Sequence, residues 1–110
     1  MNEFSSQQIG ILERLVAKEF ILVAFPLYAN AVGVRKGSCA ALLDPIANAG
    51  FRVFGEPCVL LDGNLTVRIH EKGKAWFVWK KQRLEASAER LLELENFVVE
   101  LKSLLEPHLT

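Results

Sequence analysis

The chain has 110 residues, of which 51% are hydrophobic, so it is long enough for a single domain with one hydrophobic core. Thirteen basic residues balance thirteen acidic ones, which argues against a dedicated duplex-binding domain, since such domains carry a basic excess. The two cysteines are too few for a disulfide scaffold, and we interpret Cys39 and Cys58 as reduced, buried thiols. We predict one domain that spans residues 1–110.

The sequence contains no segment with the features of an export signal or a membrane span. Its N-terminus lacks the basic region and the apolar run of a secretory signal. Its longest apolar stretch, residues 20–27, is interrupted by Pro26 and is far shorter than the ~20 residues needed to cross a bilayer. We therefore predict a cytoplasmic protein that has no membrane partner.

The beginning of the chain predicts one helix followed by a segment of ambiguous conformation. Apolar residues recur at intervals of three and four after a serine that can cap a helix, so we predict a helix over residues 6–19. Residues 20–25 are apolar on every side, and their pattern fits either further helical turns or a buried strand. Pro26 requires a break after them, because proline removes an amide donor and disfavours helix in the preceding residue.

The middle of the chain is rich in turn-forming residues. Residues 35–38 indicate a turn with two exposed charges, and residues 39–43 fit a short strand or a helical turn. An aspartate followed by Pro45 is typical of a helix start, and Gly50 stands where a short helix would end. We therefore predict a single helical turn over residues 45–49.

From residue 51 onward the pattern changes to that of strands. Residues 51–54 and 58–61 indicate two short strands separated by Gly-Glu-Pro. The Asp-Gly-Asn sequence at 62–64 is a strong hairpin turn signal, so the strands before and after it are expected to pair.

The next two strands differ in their expected burial. Apolar and polar side chains alternate strictly over residues 65–70, so one face of this strand should be buried and the other solvated. The buried face would carry Leu65, Val67 and Ile69, and the solvated face Thr66, Arg68 and His70. After a turn at residues 71–74, residues 75–79 are apolar on both faces, so this strand needs a cover on each side.

The last predicted element is an amphipathic helix over residues 88–106. Ser87 can cap this helix and Pro107 ends it. Its main apolar stripe follows helical spacing and comprises Leu91, Leu94, Phe97, Val98, Leu101, Leu104 and Leu105. Leu92 and Val99 lie off this stripe, so either the core wraps the helix widely or a second subunit covers them.

The order of these elements predicts an α+β fold. We expect an antiparallel three- to four-stranded meander packed by an N-terminal helix and a long C-terminal amphipathic helix.

Charge is distributed unevenly over the second half of the chain. Residues 71–84 carry five bases and one acid around two tryptophans, whereas residues 85–106 carry six glutamates and two bases. The five bases are Lys72, Lys74, Lys80, Lys81 and Arg83. Such a basic, aromatic surface is one that binds single-stranded nucleic acid. We favour the interpretation that the lysines protect a sheet edge and the glutamates form a solvated helix face, while pairing of the two segments across a symmetric dimer is a third reading.

Trp76 and Trp79 are an odd number of positions apart, so a regular strand points them to opposite faces. We expect one of them in the core beneath the helix. The other would cover a pocket or lie at an interface, where tryptophan is enriched.

Residues suited to catalysis are few. His70 and His108 are the only histidines, and a nucleophilic pair of His70 with Cys39 or Cys58 needs a proximity that the sequence does not establish. The cysteine and histidine spacing fits no zinc site, and the glycines form no nucleotide-binding loop. We predict no metal, no cofactor and no catalytic residue.

The function that we predict is that of a small non-catalytic binding domain acting as a homodimer. Its interface is placed at Leu92, Val99 and Trp79. The alternative is an enzyme or carrier of a small apolar ligand, with a pocket between the sheet and the first helix. The ligand-binding candidates for that pocket are Tyr28, Arg68, His70, Trp76 and Trp79. A further alternative is a single-stranded nucleic-acid accessory protein that uses the five bases, although nucleic acid is the less favoured partner.

Overall fold

The computed structural model describes residues 4–47 and 49–105 and shows an α+β fold, as predicted. Its elements, in chain order, are α1 (Ser6–Ala17), β1 (Ile21–Val23), a short 3-10 helix (Pro26–Tyr28), β2 (Val32–Lys36), β3 (Cys39–Pro45), β4 (Phe51–Val59), β5 (Val67–Glu71), β6 (Lys74–Trp79), β7 (Gln82–Glu85) and α2 (Ala88–Leu105). Within the described residues the strands form two antiparallel sheets rather than one meander. The first sheet has the order β1-β2-β3-β4, and the second has the order β5-β6-β7.

The helix α1 begins where the sequence predicts, because Ser5 and Gln8 form a capping box. The Ser5 hydroxyl accepts a hydrogen bond from the Gln8 amide at 3.1 Å, and the Gln8 side chain accepts one from the Ser5 amide at 2.9 Å. The helix ends at Ala17, two residues before the predicted end, and Glu19 adopts a positive φ of 72°. This left-handed residue reverses the chain into β1.

The ambiguous segment after α1 contains a strand. Ile21–Val23 pairs with β2, with Leu22 opposite Val34. Phe20, just before this strand, is buried against the Phe97 ring of α2 at 5.6 Å between ring centroids. The segment is extended because β2 supplies its backbone hydrogen-bond partners, which no local pattern reveals.

The predicted helical turn at residues 45–49 is wrong. Pro45 is the last residue of β3 and pairs with Phe51, and the Ile46 amide donates to the Gly50 carbonyl at 2.9 Å. The chain therefore turns from β3 into β4. The Gln8 side chain stabilises this turn by donating to the Ile46 and Gly50 carbonyls, at 3.0 and 3.3 Å.

The predicted break at residues 55–57 is also wrong, because β4 is continuous from Phe51 to Val59. The register with β3 shifts between Ala40 and Leu42, and Gly55 has a φ of +73°. The strand absorbs these residues as a bulge, where glycine and proline are both tolerated.

The Asp-Gly-Asn turn at 62–64 forms, but the strands on its two sides belong to different sheets. Leu61 and Asn64 exchange backbone hydrogen bonds of 3.0 and 2.9 Å across it. The buried Thr66 then ties the chain back to the first sheet, since its hydroxyl donates to the Val59 carbonyl at 2.7 Å. The turn signal was correct locally, while the expected pairing across it was wrong.

The expected burial of residues 65–70 is reversed at two positions: Thr66 is buried and Val67 is 68% exposed. Val67 lies at the beginning of β5, an edge strand of the second sheet, with its side chain on the face away from the core. The turn predicted at 71–74 is confirmed, with Lys72 and Gly73 at φ of 55° and 78° between β5 and β6. β7 was not predicted.

The helix α2 follows the prediction closely. Ser87 caps it by accepting from the Arg90 amide at 3.3 Å, and Leu94, Phe97, Leu101 and Leu105 of the predicted stripe are buried. The predicted end at residue 106, Pro107 and His108 lie outside the described residues. Leu92 and Val99 are exposed, so the core does not wrap α2 widely and the first of the two alternatives for them is wrong.

Candidate functional site

The first candidate surface is an apolar stripe on α2, formed by Leu92 and Val99, which we call the α2 stripe. Their side chains are 58% and 64% exposed, and seven residues separate them, so they are nearly in line along the helix. Glu89 and Glu95 flank the stripe on its two sides, and both are exposed. Neither forms an ion pair with another described residue. Lys102, also exposed, lies three residues after Val99 on the same side as Glu95. The stripe is therefore apolar at its centre, and its margins carry two acids and one base.

Two other glutamates of α2 have partners in the first sheet. Glu100 accepts from the Lys36 ammonium at 2.9 Å, and Glu93 accepts from the Ser38 amide at 3.3 Å. These contacts hold α2 against the β2–β3 hairpin. They leave Glu89 and Glu95 as the acids that border the α2 stripe.

The second candidate surface is the face of the second sheet that points away from the core, which we call the outer face. The register of β5, β6 and β7 places the apolar residues in two cross-strand pairs, Val67 with Val78 and Ile69 with Trp76. The opposite face carries Phe77, which is fully buried in the core. The sequence predicted that strand β6 needs a cover on each side, and within residues 4–47 and 49–105 it has a cover on one side.

The outer face has a basic border. Glu71, Lys72, Lys74 and Arg83 surround Trp76 in one hollow. Arg83 lies over the Trp76 ring, 5.6 Å from its centre, and is paired with the Glu71 carboxylate at 2.6 Å. Lys72 and Lys74 form no ion pair with any described residue, so they supply the net charge of this hollow.

The third candidate is an apolar cleft of about 250 Å³ beside the 3-10 helix. Its lining comprises Phe25, Pro26, Leu27, Tyr28, Asn64, Leu65 and Trp79. Gly33 permits this arrangement, since a Cβ at that position would lie about 2.5 Å from the Phe25 ring. Tyr28 and Trp79, two of the predicted ligand-binding residues, thus line one cleft, but no residue of α1 does so.

The other predicted ligand-binding residues lie elsewhere. Arg68 borders a separate hollow of about 270 Å³, which Tyr28 also lines. His70 is exposed on β5 opposite Ala75. Trp76 lies on the outer face, on the other side of the sheet from Trp79, as the spacing predicted. Neither tryptophan is in the core, contrary to expectation, because Phe77 takes that place.

The bases considered for nucleic-acid binding are divided between two locations. Lys72, Lys74 and Arg83 border the outer face, whereas the Lys80 ammonium lies over the Trp79 ring, 5.0 Å from its centre. Since the two tryptophans are on opposite sides of the sheet, the bases do not form one continuous strip with them.

Both cysteines are free and buried, as predicted. Burial, together with the negative charge of Glu93 and the nearby Cys58, raises the pKa of the Cys39 thiol to about 12. A thiol with so high a pKa is protonated at neutral pH and is a poor nucleophile. Because unfolding returns the pKa to its ordinary value, this thiol favours the unfolded state increasingly as the pH rises from about 9 toward 12.

Several residues of these surfaces were not predicted as site residues from the sequence. Phe25, Pro26 and Leu27 complete the cleft, and Val67 and Val78 complete the outer face. The sequence offered two signals for these residues: apolar side chains next to a proline, and a strand with apolar side chains on both faces. Neither signal tells which side of the strand the core will occupy.

Comparisons with protein-family models, with curated proteins and with solved structures found no match to this chain. In residues 4–47 and 49–105, no three cysteine, histidine, aspartate or glutamate side chains come together in a group that could hold a metal ion. Over the same residues, neither helix has the length and the apolar character that a membrane crossing requires.

Proposed function

We propose that this protein is a small non-catalytic interaction domain that acts as a homodimer, with the α2 stripe in its interface. The observation that carries the proposal is the exposure of Leu92 and Val99 on a helix whose opposite side is firmly packed. Aliphatic side chains of this size gain about 1.5–3 kcal/mol each when they are fully buried. A second subunit provides that burial without any change in the fold.

The α2 stripe needs additional surface to form a stable dimer. Each of its residues is already partly covered, so further burial of the four side chains in two copies yields on the order of 4–8 kcal/mol. The loss of translational and rotational freedom on association costs about 4–15 kcal/mol. The partner of the stripe must therefore contribute apolar or charged contacts of its own.

We expect light scattering after size exclusion to give twice the 12.3 kDa mass of one chain for the wild type. Leu92→Glu with Val99→Glu should give the mass of one chain, because four carboxylates would have to be buried in the interface. Circular dichroism should show that this variant stays folded, since both side chains are exposed.

A matched control is available on the other helix. Ile9 and Val16 are also seven residues apart and are 46% and 54% exposed on α1. Ile9→Glu with Val16→Glu makes the same charge change and should leave the dimer intact. A wild type that has the mass of one chain at all concentrations tested would contradict the proposal.

A second candidate function is that of a carrier for a small apolar ligand in the cleft beside the 3-10 helix. The observation that favours it is the meeting of Tyr28 and Trp79 across about 250 Å³ of mainly apolar space. This volume is slightly below the roughly 300–1,000 Å³ of most ligand pockets, so the ligand would have to be small. Leu27, at the rim of this cleft, is 78% exposed.

Tryptophan fluorescence during titration with small aromatic and aliphatic alcohols tests this second function. Trp76→Phe leaves Trp79 as the only tryptophan and should show a saturable change in emission. Trp79→Phe leaves only Trp76, on the other side of the sheet, and should show none. Equal responses of the two variants would indicate nonspecific binding and would exclude the cleft.

A further inference from the structure

We propose that the α2 stripe of one copy packs against the outer face of the second sheet in another copy, and that the closed dimer makes this contact twice. This inference rests on the homodimer proposed above and names the surface that its helix contacts. The two surfaces are the α2 stripe, Leu92 and Val99, and the outer face around Val67, Ile69, Trp76 and Val78.

Both surfaces lack a cover within the described part of the chain. The second sheet is packed on one side by the core through Phe77, while Val67 on the other side is 68% exposed. Along α2, the residues that face the core are buried and the α2 stripe is not. A helix stripe laid on an open sheet face is the same two-layer packing that builds an α+β domain.

The net charges at the margins of the two surfaces are opposite in sign. Glu89, Glu95 and Lys102 give the α2 stripe a net charge of −1, whereas three bases (Lys72, Lys74, Arg83) and two acids (Glu71, Glu85) give the outer face a net charge of +1. Glu89 and Glu95 flank the α2 stripe, and Lys72 and Lys74 border the outer face. All four are exposed, and none is paired with another described residue. The charge of Arg83 is already balanced by Glu71 at 2.6 Å, so the two lysines are the bases available to the partner. Opposite charges at the margins of two surfaces steer their association and determine which surfaces meet.

Pairing of like surfaces is less favourable. If two α2 helices packed antiparallel with Leu92 opposite Val99, the two-fold axis would pass between Glu95 and Asn96. The Glu95 carboxylates of the two copies would then lie close together and repel each other. Pairing of two outer faces with their β5–β6 turns at the same end would likewise bring Lys72 and Lys74 of both copies together. Contact between unlike surfaces avoids both repulsions.

The dimensions of the two surfaces are compatible. Seven residues of helix place Leu92 and Val99 about 10 Å apart along α2. On the outer face, the two apolar cross-strand pairs are about 7 Å apart along the strands. The two residues of each pair lie on neighbouring strands, β5 and β6, which are about 5 Å apart. Each contact is small, which is why two of them per dimer are required.

Two charge-reversed chains test the inference. One carries Lys72→Glu with Lys74→Glu, and the other carries Glu89→Lys with Glu95→Lys. In each chain alone the margins of the two surfaces have the same sign, so we expect the dimer dissociation constant to rise about tenfold or more at low salt. Lys80→Glu with Lys81→Glu makes the same charge change at the β6–β7 turn and should leave the constant unchanged.

Mixing the two charge-reversed chains should restore the dimer. One chain then has acidic margins on both surfaces and the other has basic margins on both, so each α2 stripe meets an outer face of opposite charge in both contacts. Labelling one chain with ¹⁵N lets native mass spectrometry identify the mixed dimer. If the chain with Lys72→Glu and Lys74→Glu dimerises as the wild type does, or the mixture forms no mixed dimer, the outer face is not the partner and the inference is overturned. A wild-type monomer would overturn the homodimer itself, and the two failures are thereby distinguished.

Discussion

Replacing Phe77 by alanine is expected to lower the free energy of unfolding by about 3–5 kcal/mol. Phe77 is the one residue of β5, β6 and β7 that is fully buried, and it belongs to the same core cluster as Leu94, Phe97 and Leu101 of α2. Its ring therefore attaches the second sheet to the rest of the domain. Urea denaturation followed by circular dichroism measures the loss.

The same substitution should also weaken the second sheet selectively. With the ring removed, the amides of β5 to β7 should exchange hydrogen faster than those of β3 and β4, because local opening of this sheet becomes easier. Val78→Ala is the control, since Val78 is the next residue of β6 and faces the other side, half-buried. Both variants are measured at a concentration at which light scattering gives the mass of one chain, because Val78 belongs to the proposed dimer contact and a dimer adds to apparent stability. An equal loss of stability in both variants would contradict the role assigned to Phe77.

Leu101→Ala is expected to destabilise the protein by about 2–5 kcal/mol, whereas Leu92→Ala should change stability by less than about 1 kcal/mol. Leu101 is fully buried between α2 and the first sheet, and Leu92, on the same helix, is 58% exposed. The substitution removes the same atoms at both positions, so the difference measures burial alone. Helix propensity favours alanine slightly and equally in both.

In comparing Leu92→Ala with Leu101→Ala, the effect on folding must be separated from the effect on dimerisation. Both variants are therefore measured at a concentration at which light scattering gives the mass of one chain, because a dimer adds to apparent stability by mass action. If Leu92→Ala proved as destabilising as Leu101→Ala under these conditions, Leu92 would be part of the monomer core and unavailable to a partner.

The elements predicted correctly from sequence are those whose signals are local. The buried main stripe of α2 arises from helical spacing, and the start of α1 arises from Ser5 capping its own helix. The turn between β5 and β6 arises from Gly73, which tolerates its positive φ. Each signal lies within a few residues of its effect, so no knowledge of the remaining chain is needed.

The predictions that failed concern segments whose conformation depends on distant partners. Pro45 continues β3 because Phe51 pairs with it and because Gln8 of α1 bonds to the turn that follows. Gly55 lies within β4 because β3 holds both ends of the strand and a bulge absorbs the extra residues. In both cases a local helix or break signal was overridden by strand pairing.

The candidate sites were accessible from the sequence only in part. The spacing of Leu92 and Val99 marked them as lying off the main stripe, but their exposure depends on the rest of the domain covering only the opposite side of α2. Tyr28 and Trp79 were both singled out, yet their proximity depends on Phe25 packing over Gly33. Arg68 and His70 share a strand with residues of the outer face but lie on the opposite side of the sheet, paired with Phe77 and Ala75.

The sequence by itself determined the α+β class, the two helices with their buried stripes, and the opposite faces of Trp76 and Trp79, because helical and strand periodicities are properties of the backbone. Only the tertiary structure decided that the strands divide into two sheets and that Phe77, rather than a tryptophan, enters the core. A strand that is apolar on both sides can place either side inward, and here the Phe77 side joins the core cluster that also contains residues of α1, α2 and the first sheet. The other side of this sheet is left without a cover in residues 4–47 and 49–105, and the proposed dimer contact depends on that side.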